Sequence, residues 1–196
     1  MDAERPALEG RLRGAELVEP QLLAELSTLG HPARVVAVFR RADLPAVSAA
    51  PTALALWRVG DPGNVGTLVR TADALGPALV ALSAGCADPT SPKALRASAG
   101  AIFRVPLGRF EDAPHPWIGL SAGAGTPLWD LDLGECVTFV LGAEREGLPG
   151  DVAARCDALA SIPLAAGSES LNVALAGAIA LYERRRRSAG GISGTV

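Results

Sequence analysis

A chain of 196 residues, 49% hydrophobic and 20% charged, carries enough apolar material for a packed core, which excludes an intrinsically disordered protein. No apolar run nears the ~18–20 residues of a membrane-spanning helix, and the charged opening MDAERPALEGRLRG lacks the apolar stretch of a secretory signal. The net charge of −3 speaks mildly against a nucleic-acid partner, while three widely spaced cysteines (Cys86, Cys136, Cys156), none in a Cys-x-x-Cys pair, read as reduced thiols of a cytoplasmic protein and not as metal ligands.

In chain order, the first element is a helix over Glu16–Leu26, followed by a strand at 35–39 and a Pro/Ala/Ser linker from Leu44 to Thr52. Ala53–Val59 is a continuous apolar run. Asn64–Leu75 has helical spacing, with Val65, Leu68, Val69, Ala72 and Leu75 on one face. A strand at Leu79–Ser83 and a short helix at Pro92–Ala99 come next. Ile102–Leu107, Trp117–Ser121 and Val137–Leu141 read as further strands, Leu148–Cys156 as a helix, Ser161–Leu164 as a short strand and Glu169–Arg187 as a long helix. Pro114–Pro116 and the tail after Arg187 read as loop, the tail as disordered. Short apolar runs without two-residue alternation suit strands covered on both faces. Alternating with helices, they predict an α/β fold with a mostly parallel sheet and helices on both faces. No internal repeat is present.

Lys93 is the only lysine, so the other basic residues are arginines, whose planar forks suit phosphates and bases. There are two asparagines, Asn64 and Asn172. Both fall in segments that carry chemical potential.

The first segment is Asp61–Gly76, at a strand-to-helix junction of the kind that binds ligands in α/β sheets. Pro62 and Gly63 end the strand, Asn64 is placed to cap the helix, and Gly66 leaves a bare surface one turn before Arg70, letting Arg70 lie back toward the loop. Taken alone, Asn64 is equally a plain cap and Arg70 a solvated charge. A dinucleotide fingerprint fails here, because the glycines run Gly60-x-x-Gly63-x-x-Gly66, and no GxxxxGK[ST] phosphate loop exists. The second segment, Phe139–Pro149, runs from a buried strand into Gly142, which permits close backbone approach, and on to Gly147, which permits a sharp reversal. Glu144 is either a solvated charge or the partner of a guanidinium such as Arg70. In the third, Ser161–Arg187, Ser168 and Ser170 are candidate helix caps. The helix beyond Asn172 is apolar nearly all round until Glu183, which suits close packing within the chain or across a dimer. Arg184–Arg187 is either a solvated end that complements the helix dipole or a phosphate contact.

Together and in this order the segments resemble the three signature motifs of the SpoU (TrmH-like) branch of the SPOUT superfamily of RNA ribose 2′-O-methyltransferases. Asn64, Gly66 and Arg70 match Asn-x-Gly-x-x-x-Arg, and Leu141, Gly142, Glu144 and Gly147 match Leu-Gly-x-Glu-x-x-Gly. Ile162, Pro163, Ser170, Leu171, Asn172 and Val173 match Ile-Pro…Ser-Leu-Asn-Val, and Lys93–Gly100 is similar to the intervening segment. The resemblance spans about residues 53–187.

The resemblance implies a C-terminal trefoil knot, a homodimer and S-adenosylmethionine as cofactor. The reaction it implies is methyl transfer to a ribose 2′-hydroxyl of tRNA or rRNA. Ser121, Gly142, Ile162 and Leu171 are then the cofactor-binding residues, and no metal is implied. Arg70, Glu144, Ser170, Asn172 and Asn64 are the catalytic set: Glu144 orients Arg70, Ser170 and Asn172 position the hydroxyl, and Asn64 braces the loop. The motif arginine has been regarded as the base. The great reluctance of a guanidinium to lose its proton favours instead a fixed cation that holds a phosphate and stabilises developing negative charge. A non-catalytic RNA-binding or assembly protein that keeps the fold, or a methyltransferase acting on another RNA position, is the alternative. Residues 1–50 depart from the family pattern and read as a short, truncated RNA-binding domain, ahead of a methyltransferase domain at 51–196.

Overall fold

The computed structural model describes residues 14–27, 35–168 and 170–190; the end of the expected loop-like tail, 191–196, lies outside them. The chain divides at Arg40/Arg41 into two compact units. In the first, helix α1 (Pro20–Leu26) starts with a proline, whose missing N–H costs nothing in a first turn, and buries no residue. Residues 35–39 form no strand.

The second unit is built on six parallel strands: β1 (Thr52–Leu56), β2 (Leu79–Leu82), β3 (Leu107–Arg109), β4 (Trp117–Leu120), β5 (Val137–Leu141) and β6 (Ala158–Ala160). Their order across the sheet is β3-β2-β1-β5-β4-β6. β1 and β5 are central and buried along their whole length, as their unbroken apolar sequences require. They run level, residue against residue, from Thr52 beside Val137 to Leu56 beside Leu141. The loops that leave their carboxyl ends therefore start side by side.

Four helices complete this unit: α2 (Pro62–Leu75), α3 (Pro92–Ser98), α4 (Gly150–Ala153) and α5 (Val173–Gly190). Leu54, Leu56, Phe139 and Leu141 face a core that includes Leu68 of α2 and Leu181 of α5. Ala55 and Val140 point to the other side, where Phe110, Trp117 and Val152 of α4 cover them. The expected α/β sheet with helices on both faces is present.

Several boundaries differ from expectation, each for a local reason. α2 starts at Pro62 because Asp61, not Asn64, is its cap: Asp61 Oδ1 accepts the Asn64 N–H at 2.9 Å. The strand expected over 102–107 is displaced to Leu107–Arg109, because left-handed Ala99 and Gly100 (φ 48° and 81°) turn the chain into a 3-10 turn that buries Ile102. The strand expected at 161–164 lies earlier, at Ala158–Ala160, where it pairs with β4, and Ser161 makes only an isolated bridge to Pro127. The expected Leu148–Cys156 helix shrinks to Gly150–Ala153. α5 begins at Val173 because Asn172 Oδ1 accepts the N–H groups of Ala174 (2.9 Å) and Leu175 (3.3 Å).

Two glycines set the helix packing. The bare surface of Gly66 does not serve Arg70: α3 crosses there, and a Cβ would sit 2.3 Å from the Ala94 carbonyl oxygen and 2.7 Å from Ala97 Cβ. Gly177 faces inward, where a Cβ would stand 2.4 Å from Leu68 Cδ2 and 3.1 Å from Leu141 Cδ1. At the far end of α5 the arginine run turns back on its own chain. Arg184 donates to the Glu135 carbonyl (2.5 Å), Arg185 to that of Gly76 (3.1 Å), and Arg187 to those of Leu128, Trp129 and Leu131. Arg186 and Arg187 both donate to Glu183, at 2.8 and 2.7 Å. These bonds tie the end of α5 to its own chain, although Arg185 and Arg186 remain exposed to solvent.

Candidate active site

The loops that follow β4 and β5 meet the segment leading into α5 around one cavity of about 340 Å³. Ser121, Gly142, Ile162 and Leu171, the four residues expected to hold a cofactor, all line it, together with Glu144 and Ser170. Gly142 shapes one wall. The chain doubles back there, with the Gly147 N–H donating to the Ala143 carbonyl at 2.9 Å and Gly147 at φ +66°. A Cβ on Gly142 would lie 2.1 Å from the Gly147 carbonyl carbon and oxygen, a distance no side chain tolerates. The opposite wall is aliphatic, from Ile162, Leu164 and Leu171.

A second recess of about 590 Å³ adjoins the first through Ala143–Glu146 and reaches across to Arg58, Asp61 and Asn64. Glu144 lines both. From it runs a chain of side-chain hydrogen bonds: Asn64 Nδ2 donates to Glu144 Oε1 at 3.0 Å, and Asn172 Nδ2 donates to Asn64 Oδ1 at 3.1 Å. Its direction is fixed at one end, because Asn172 Oδ1 already faces the two N–H groups that open α5, leaving only its amide N–H to reach Asn64. Asn64 must then accept with its oxygen and donate with its nitrogen, toward an acceptor. Glu144 Oε1 is that acceptor. The two asparagines and Glu144, 80 and 108 residues apart in sequence, form one oriented unit.

The expected pairing of Glu144 with Arg70 is not formed. Glu144 is held by Asn64, and Arg70 lies exposed on α2 with no hydrogen bond or ion pair to another described residue. The physical reason is α3, which fills the Gly66 surface across which Arg70 was to lie. Ser170 lines the cavity instead of capping α5, and Ser168 makes no cap either, since Asn172 has that role.

Sequence reasoning missed the support beneath Asn64. Asp61 also accepts from Lys93 Nζ at 2.5 Å, joining α3 to the α2 start. That hydrogen bond, then the Asn64 N–H, hold the Asp61 carboxyl below its ordinary range. An aspartate directly before Pro62 is a helix-start signature that marks Asp61. Arg58 and Arg145, which line the second recess, carry no such signal.

A family model, the SpoU rRNA methylase family, matches residues 51–182. An uncharacterized tRNA/rRNA methyltransferase of Synechocystis sp. is 36% identical over 94% of this chain and 73% of its own length. A 23S rRNA (uridine(2479)-2′-O)-methyltransferase of Streptomyces viridochromogenes is 32% identical over 90% of this chain and 68% of its own. Among solved structures, the SpoU methyltransferase AviRb of S. viridochromogenes in complex with AdoMet is 27% identical, with a TM-score of 0.74 over 95% of this chain and 78% of that one. The chain belongs to the SpoU rRNA methylase family.

Proposed function

We propose that the protein transfers a methyl group from S-adenosylmethionine to a ribose 2′-hydroxyl of ribosomal or transfer RNA. The observation that carries this reading is Glu144, oriented by Asn64 and Asn172 at the junction of two recesses, one fit for the donor and one open to the acceptor. The first recess suits S-adenosylmethionine in size and lining: aliphatic walls for a purine, and a glycine cradle that backbone polar groups line. Ser121, Gly142, Ile162 and Leu171 would hold it. When bound, it supplies a methyl group already activated on a sulfonium centre.

The protein's part is alignment. Glu144 keeps one carboxyl oxygen on Asn64, and its other oxygen accepts a hydrogen bond from the ribose hydroxyl and takes its proton as the oxygen–methyl bond forms and the sulfur–methyl bond breaks. The nucleophile is thereby held at the edge of the donor recess. Ser170, in the same cavity wall, positions the hydroxyl from the other side. Arg70, without an internal partner among the described residues, remains a cation for an RNA phosphate and for negative charge that grows on the attacking oxygen.

The trefoil knot belongs to this proposal; support comes from the meeting of residues 121–123 and 142–148 with Ile162, Leu164, Ser170 and Leu171 around one cavity. So does a homodimer, supported by the exposed Leu175, Ile179 and Tyr182 of α5, one apolar stripe at four- and three-residue spacing. Gly177, inside the core, is not part of that surface. Tyr182→Glu should convert a dimer into a monomer in sedimentation; a parent chain that is monomeric at micromolar concentration contradicts the dimer. We further propose that residues 1–50 contribute to RNA binding and that the protein works in the cytoplasm, which the free thiols of Cys86, Cys136 and Cys156 support. Among the described residues no helix is long and apolar enough to cross a membrane. The activity is tested by incubating the protein with methyl-labelled S-adenosylmethionine and unmodified 23S rRNA or bulk tRNA. Label in RNA supports the reading, and donor binding without transfer to either RNA supports the non-catalytic alternative.

A further inference from the structure

Arg58 stands where β1 turns toward α2, in the left-handed conformation at φ +52°. Only glycine adopts that region freely; an arginine there is held against a conformational cost, and such residues gather at functional sites. The surroundings hold it firmly. Its N–H donates to Ser83 Oγ at 2.9 Å, and the next residue's carbonyl accepts the Ala87 N–H at 2.9 Å. The side chain runs over Gly85, itself at φ +91°, where a Cβ would already touch Arg58 Cγ and Nε at 3.4 Å. The guanidinium thus projects from a rigid base into the recess that Glu144 shares with the donor cavity. Among the described residues it has no hydrogen-bond acceptor and no ion pair.

None of the acidic groups in the same recess is paired with it. Asp61 is occupied by Lys93 and the Asn64 N–H, and Glu144 by Asn64. That leaves Arg58 and Arg145 against Glu144 and Glu146, an even balance, so it is the fixed guanidinium with its unused donors, and not a net field, that marks a place for an anion. An arginine with five unused donors, fixed beside the expected position of a ribose, matches the fork geometry of a phosphate. We infer that Arg58 is an RNA-binding residue that grips a backbone phosphate adjoining the ribose to be methylated, holding the strand in register with Glu144. This rests on the proposed RNA substrate.

The test exploits the strain. In Arg58→Gly the backbone cost disappears and the phosphate contact goes with it, so thermal stability should rise while RNA binding falls. Arg58→Ala keeps the restricted backbone and isolates the side chain. Affinity for unmodified 23S rRNA and bulk tRNA transcripts is measured across salt concentrations, with S-adenosylmethionine affinity alongside. Both variants should bind RNA on the order of tenfold more weakly, with the salt dependence reduced by about one phosphate equivalent. Donor affinity should not change. An unchanged salt slope in both variants overturns the assignment, as does a loss confined to Arg58→Gly, which would report loop flexibility. If the parent chain binds neither RNA, the substrate reading itself fails, and this inference falls with it.

Discussion

Asn172 performs two separable tasks, and replacing it with aspartate divides them. Its Oδ1 accepts from the first N–H groups of α5, while its Nδ2 donates to Asn64. In Asn172→Asp a carboxylate oxygen still caps the helix, since aspartate and asparagine cap about equally well and a negative charge there adds roughly 0.3–1 kcal/mol. The donor to Asn64 is lost. Asn64 then either faces oxygen against oxygen or rotates its amide, turning its carbonyl toward Glu144 Oε1, now 3.0 Å from its nitrogen. Either way one hydrogen bond in a chain ending on a charged group is missing, a loss of about 1.5–3 kcal/mol, or roughly ten- to 150-fold in rate if the chain aligns the reacting groups. Asn172→Ala removes the cap as well, about 0.5–2 kcal/mol, which lowers the melting temperature by a few degrees in a chain of this size. The assay is single-turnover methyl transfer with thermal melts of parent and both variants. The aspartate variant, which keeps the cap, should melt above the alanine variant, which loses cap and donor together, with transfer similarly impaired in both. An aspartate variant that is fully active, or as destabilised as the alanine variant, refutes the oriented chain.

Gly142→Ala drives a methyl group into the Gly147 carbonyl, so donor affinity measured calorimetrically should fall at least tenfold; unchanged affinity would mean the cradle is not the donor site. Arg70 has no partner within the described chain, so Arg70→Ala should leave the melting temperature and donor binding alone while methyl transfer drops on the order of a hundredfold. Arg70→Lys should keep part of that activity if the residue acts as a fixed cation. Equal inactivity of both variants with RNA and donor binding intact would restore a guanidine-specific role. Arg186, and then Arg187, pull the Glu183 carboxyl from its ordinary 4.5 down to about 2. A depressed folded value stabilises the protein fully above pH 4.5 and less as pH falls toward 2. Glu183→Gln should therefore cost stability at pH 7 and flatten the acid limb of unfolding; a parallel acid limb in both proteins contradicts the anchor.

The chemistry was more legible than the geometry. That Asn64, Glu144, Asn172 and Ser170 come together near Ser121, Gly142, Ile162 and Leu171 is legible from type and order, because a parallel sheet gathers the carboxyl-end loops of neighbouring strands. The partners within that gathering were not legible. Asn64 and Asp61 are both good caps, and only the turn geometry decides that Asp61 caps and Asn64 is freed for Glu144. Gly66 and Gly177 mark close approaches, but a glycine does not say what approaches it: α3 in one case, Leu68 and Leu141 in the other. The arginine run offered two readings from its charge; apart from Glu183, which takes Arg186 and Arg187 at helical spacing, its main acceptors are backbone carbonyls that no side-chain pattern reveals. Arg58 was silent because an arginine after a strand looks ordinary until its φ is known.

The most direct test of the central claim is the chemical position of the transferred methyl group. Unmodified 23S rRNA and bulk tRNA are treated with the protein and labelled S-adenosylmethionine, then digested to nucleosides and alkali-resistant dinucleotides. The account predicts label in a 2′-O-methyl nucleoside, lost in Glu144→Gln although that variant still binds the donor. Label on a base, or full ribose methylation by Glu144→Gln, would contradict it.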